Sequence, residues 1–228
     1  MVHLFTELTS GGPGLRSRKK AKRRDEIIAV ARTLFAQQGV DATTMADIAA
    51  AAGISAPTVF NYFGSKDGVL IALITDGTTE AREIDRHQHW REGEDLATLI
   101  VGLFLRVSRR TLAIADKRVW RYAEAAAIRH PETDLALQYQ RVSDALVDVV
   151  ADFVSDLDIS VRSGGDVSPR FLAQLFHDVW TPCFISLITN EEQSLSDHEA
   201  ILRARMLPLV SLLFDESGAV TKRKGHSA

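Results

Sequence analysis

A chain of 228 residues, 46% apolar and 25% charged, has the composition of a globular protein with room for one large or two small domains. Its single cysteine, Cys183, excludes an intrachain disulfide framework and suits a reducing cytoplasm. The net charge of −3 argues against a uniformly basic nucleic-acid binder, but residues 1–70 hold nine Lys/Arg against six Asp/Glu and 71–228 hold eighteen against twenty-four.

Met1–Ser10 has neither a basic n-region nor a long apolar core, so no secretory signal is expected, and no uninterrupted apolar run reaches eighteen residues. The Gly-Gly-Pro-Gly run at 11–14 has no helical period, and residues 1–17 are expected to form a mobile tail. From Arg16 to Arg24, seven of nine residues are basic and none is acidic. Such a run is usually a solvated segment; placed directly before a DNA-reading module it would instead lie along phosphates or reach into a minor groove, where each cation gains from counterion release. The first helix is expected from Arg18 or Lys22 to Gln38, with Ile27, Ala31, Leu34 and Phe35 as its buried stripe and Gly39 as its end.

Thr44–Phe63 is the most informative stretch. Met45, Ile48, Ala49 and Ala52 recur at i, i+3, i+4 and i+7, and Thr44 with Asp47 reads as a capping box. Gly53 supplies a turn, Ser55 a cap and Pro57 the first turn of a second short helix with Val59, Tyr62 and Phe63 inward. Small Ala49 lets the two helices cross closely. This is the spacing of a helix-turn-helix, and also of an αα corner in any helical domain. Ser65 caps a fourth helix that carries Val69, Leu70, Leu73 and Ile74 and turns polar through Glu80–Arg91.

From Asp95 the periodicity is helical throughout. Segments cover Leu96–Leu112, Lys117–Arg129 and Glu132–Leu157, and Asp158–Ser168 is a loop. In the next helix, Pro169–Asn190, bulky apolar pairs recur every four residues from Phe171/Leu172 to Leu187/Ile188, a face broad enough to need cover on more than one side. The last helix, Ser196–Phe214, is bent by Pro208, and residues 217–228 are expected to be disordered. The fold class is all-α, with about nine helices.

No catalytic or metal site is expected. Cys183 and His177 are two-thirds of a helical turn out of phase, His87 and His89 point to different sides, and Glu83 with His87 gives two ligands where zinc needs three or four. P-loop, HExxH and GxSxG patterns do not occur. No cofactor is indicated. His130 and His177 read as structural.

The IAAAAGIS core, the Thr58–Phe60 run, the following Tyr62-Phe63 and Lys66, with RRDEIIAVARTLFAQQGVDATT before them, resemble the DNA-binding domain of TetR-type transcriptional regulators over residues 20–72. The resemblance implies a three-helix DNA-binding domain at 18–72 and a helical effector-binding and dimerisation domain at 73–216. It implies that Ala46, Ala56, Pro57, Thr58 and Phe60 face base edges, while Thr44, Asn61, Tyr62 and Lys66 hold phosphates, with Ser55 opening the reading helix. Phe60 stands where the family commonly has tyrosine, and Ala46 where it often has a longer polar residue. Readout should therefore lean on thymine methyls and DNA shape. The last two helices would pair with their symmetry mates through Phe176, Leu187, Ile188, Leu202, Leu209 and Leu213. An effector cavity would be walled by Phe104, Val107, Trp120, Ala123, Tyr139, Trp180 and Phe184, a composition suited to an apolar or aromatic molecule. The expected function is a cytoplasmic homodimeric repressor of a palindromic operator, released by such a ligand. The alternative is an architectural or interaction protein of the same fold without ligand relief.

Overall fold

The computed structural model describes residues 14–86, 94–214 and 221–222. Among these, nine helices follow in order: α1 (Leu15–Gln38), α2 (Met45–Ala51), α3 (Ala56–Phe63), α4 (Lys66–Arg86), α5 (Leu96–Ile114), α6 (Lys117–Arg129), α7 (Asp134–Ser155), α8 (Pro169–Thr189) and α9 (Leu195–Leu213). Helix α1 begins several residues before the expected start, because nothing from 15 to 38 is glycine or proline and Lys and Arg are good helix formers. The basic run is thus the exposed first turns of a helix, and Leu15–Ser17 do not belong to a tail. Residues 1–13, with most of the expected tail, and 87–93, with His87 and His89, lie outside the described residues.

Helix ends follow local chemistry. Asp95, Asp116, Thr133 and Ser168 each accept a backbone N–H of the helix they open. Ser194 and Asp197 form a second capping box at the start of α9. One departure from the expected loops and tail is a two-residue antiparallel pair, β1 (Leu157–Asp158) with β2 (Thr221–Lys222), so that stretch of the C-terminal segment is tied to the end of α7.

Helix α8 is packed against α7, α9, α6 and α5 of its own chain. Its broad apolar face is therefore covered largely from within. Phe176, Leu187 and Ile188 of α8 and Leu202 of α9 are fully buried in the single chain, which removes these four from the expected dimer surface. Leu209 and Leu213 are half-buried. What these helices present outward is a different set: Phe171 (61% exposed) and Pro182 on α8, and Leu207, Pro208 and Leu212 (73% exposed) on α9. Helix α8 also has the length and mean hydropathy (1.3) of a membrane span, but half of that window is buried inside this bundle.

Candidate nucleic-acid interface and effector region

The helix-turn-helix is built as its spacing implies. Thr44 accepts from the Asp47 N–H at 3.1 Å, and the Asp47 carboxylate accepts from the Thr44 N–H at 2.9 Å and its hydroxyl at 2.7 Å. These bonds hold the Asp47 carboxyl below the usual range. Gly53 takes φ +64°, where its N–H and that of Ile54 close the end of α2 on the carbonyls of Ala50 and Ala49. Met45, Ile48, Ala49 and Val59 are buried between α2, α3 and α1. Gly68 is required for a different reason. A Cβ there would lie 2.0 Å from the Phe63 carbonyl oxygen, so only glycine lets α4 start so close to the end of α3.

The surface left open is the one the resemblance assigns to DNA. Thr44, Ala46, Ser55, Pro57 and Asn61 are exposed, and Phe60 is 49% exposed. Ala56, Thr58 and Tyr62 are half-buried. Ser55 stands at the N-cap of α3 but does not cap it with its side chain. Its hydroxyl pairs instead with that of Thr58 at 2.8 Å, which satisfies both hydroxyls locally.

Lys66 differs more. Its ammonium donates to the carbonyls of Val40 (2.6 Å) and Asp41 (3.2 Å), clasping the α1–α2 turn. Any phosphate contact by Lys66 shares that ammonium with the two carbonyls. Arg24, within the basic run, is also drawn inward. It bonds to both oxygens of Asp76 on α4 (2.5 and 3.2 Å) and lies 5.9 Å from the centre of the Phe63 ring. Arg16, Arg18, Lys19, Lys20, Lys22 and Arg23 remain exposed beyond it.

The seven residues expected around an effector include one ring stack and one tilted ring pair. Phe104, Trp180 and Phe184 are buried in a continuous run with ring centres 5.6 and 4.9 Å apart, and Val107 is half-buried on the same helix as Phe104. Trp120 and Tyr139 meet 6.4 Å apart near buried Ala123, and the Trp120 indole closes the end of α5 by donating to Thr111 and Ala115. Beside the stack lies a polar cluster that periodicity did not reveal. The Ser108 hydroxyl receives the Trp180 indole N–H at 2.9 Å and pairs with His198 Nε2 at 2.8 Å, and His177 pairs with Ser143 at 3.1 Å. A serine at a fully buried position of an otherwise apolar α5 face was the available signal. Burial lowers the pKa of both histidines, so neutral imidazoles are favoured there. His130 is exposed. Burial likewise pushes the Cys183 thiol up, which keeps it protonated.

Residues 27–73 match the family model described as bacterial regulatory proteins, tetR family. The chain is 30% identical over 179 residues to the HTH-type transcriptional regulator TcmR of Streptomyces glaucescens, covering 76% of each chain. The chain belongs to the TetR family. It is a DNA-binding transcriptional regulator and not an enzyme. The HTH-type transcriptional repressor KstR2 of Rhodococcus jostii (strain RHA1) is 42% identical over 69 residues, 28% of this chain and 34% of that protein. Thermus thermophilus FadR, a TetR-family repressor solved with lauroyl-CoA, shares the fold at TM-score 0.56 and 18% identity, over 90% of this chain and 98% of that one.

Proposed function

We propose that this TetR-family regulator is a homodimeric repressor that reads an inverted-repeat operator and is released by a small apolar or aromatic molecule. The observation that carries the DNA reading is the outer face of α3, where Phe60 stands half-exposed beside Pro57 and Asn61 while Val59 anchors the helix from within. An aromatic ring left in water on a short, well-anchored helix suits contact with base edges and thymine methyls. The DNA-binding unit is assigned to α1–α3 and the start of α4, and the effector and dimer unit to the rest. Dimerisation is assigned to the outward residues Phe171, Leu207 and Leu212, and a two-fold axis through them would demand an operator of two-fold symmetry.

Effector binding is assigned to the Phe104–Trp180–Phe184 stack. Its rings, with the hydrogen-bonding atoms of Ser108, His177 and His198 near them, match the apolar lining and few polar groups of a small-molecule site. FadR and KstR2 support the reading as repressors, FadR with a lauroyl-CoA bound. A fluorescence melt against a chemical library tests it, with Trp180 emission as a second readout. A compound that raises the melting temperature and releases DNA supports the reading, and a library without such a compound favours the architectural alternative.

A further inference from the structure

The α1–α2 turn and α6 face each other across a cavity of about 450 Å³ that neither DNA reading nor the aromatic core uses. Val40 and Asp41 stand on one wall. The other is one helix face, because Arg118, Tyr122, Ala125 and Arg129 recur at i, i+4, i+7 and i+11, with His130 at the helix end. Two arginines and a histidine thus surround an apolar strip, and Asp41 is the one carboxylate among the lining residues. Arg121 also borders the cavity, but its guanidinium donates to the Ile188 carbonyl at 2.9 Å and the Glu191 carboxylate at 2.8 Å. Among the described residues neither Arg118 nor Arg129 forms an ion pair. Arg118 only adds to the field that, after the Arg121 hydrogen bond, holds the Glu191 carboxyl below its usual range.

The position gives the cleft leverage. At the start of α6, Lys117 donates to the carbonyls of Asn190, Glu191 and Gln193, which ties the helix to the α8–α9 turn. Midway, the Tyr122 hydroxyl makes a long 3.4 Å bond to Asp67, next to the Lys66 that clasps Val40 and Asp41. A molecule in the cleft touches both α6 and the turn that leads into the helix-turn-helix.

We propose that this cleft binds a small organic anion, its phosphate or carboxylate held by the arginine at one end of the α6 face, Arg118 or Arg129, and its apolar body against Val40, Tyr122 and Ala125, and that occupancy changes affinity for DNA. Guanidinium groups are weakly hydrated and offer paired donors that match two oxygens of such a head group. Partial enclosure strengthens the attraction over that at an open surface. The coupling to DNA rests on the reading above; the binding itself does not.

Calorimetry on the full chain with 1-naphthyl phosphate and with neutral 1-naphthol tests the site, alongside the Arg118→Glu/Arg129→Glu and Arg118→Lys/Arg129→Lys double variants. The wild-type chain is expected to hold the phosphate at least tenfold more tightly than the alcohol. Charge reversal should abolish that preference, and the lysine pair should keep part of it. Both arginines are exposed, so circular dichroism and melting temperature should be unchanged, which separates lost binding from lost folding. Equal affinity for the two probes, or a preference that survives charge reversal, overturns the site. In a second arm, 1-naphthyl phosphate should change wild-type affinity for DNA selected from a random pool at least threefold, and leave the charge-reversed variant unaffected. No change overturns the coupling. If charge reversal instead lowers DNA affinity and its salt slope while 1-naphthyl phosphate still binds, the arginines serve DNA phosphates and the proposal fails. A chain that selected no DNA would overturn the repressor reading and the coupling together, while calorimetry would still decide the site.

Discussion

The ammonium of Lys66 lies against two carbonyl oxygens of the turn between α1 and α2, half-buried, and charge-assisted bonds of this kind contribute more than neutral ones. Lys66→Ala is therefore expected to lower stability by about 1–2 kcal/mol and to weaken operator and random DNA alike, measured by urea melts and by isotherms on both DNAs. Thr58→Ala and Phe60→Ala should instead narrow the gap between operator and random DNA by about 1–3 kcal/mol for a good base contact, with little change in the melt. A Lys66 variant that lost only specificity would reverse these roles. The buried histidines add a pH dependence. Burial holds both below the ordinary histidine value, with Asp178 and Asp144 partly opposing it at His177. The unfolded chain then binds more protons between the folded values and about 6.5. Stability is thus fully present above about pH 6.5 and falls as the pH drops below it. His198→Gln should flatten part of that decline in melts from pH 7.5 to 5.

Helices α8 and α9 show why an apolar helix face need not be an interface. Leu187 is fully enclosed by its own chain, so Leu187→Glu places a charge in the core and is expected to cost more than about 4 kcal/mol and unfold the protein. Phe171→Glu with Leu212→Glu changes outward residues. That pair should leave the circular dichroism unchanged and give monomers by sedimentation, with a large loss of operator affinity. A double variant that stayed dimeric would remove this surface from the assembly.

Across the whole molecule, charge is divided so that a basic helical extension projects from an otherwise acidic protein. Arg16, Arg18, Lys19, Lys20, Lys22 and Arg23 are exposed on the first turns of α1, while Arg24 is held by Asp76. Replacing the first four by glutamine should lower the slope of log affinity against log salt by about 0.9 for each phosphate no longer neutralised, with specificity kept. A salt series on operator and random DNA checks this, and an unchanged slope would mean that these turns do not lie along DNA.

By itself the sequence determined what depends on neighbours three or four residues apart. The Thr44–Asp47 box, the Gly53 turn, the bounds of α6 and the all-α class were legible because caps and helical faces are local. So was the outer face of α3, since Val59 inward leaves Phe60 outward on the same helix. The tertiary structure decided what depends on which distant surface arrives. An apolar period shows that α8 needs cover, but not whether its own chain or a second one supplies it, and for that reason periodicity cannot place Phe176, Leu187, Ile188 and Leu202 in the core rather than at an interface. The same limit applies to charge. A lysine at a helix start can meet a phosphate or a carbonyl, and folding brought the carbonyls of Val40 and Asp41, far away in sequence, to Lys66. Ser108, His198 and Trp180 likewise belong to three helices, and only their packing makes three scattered polar atoms into one buried cluster.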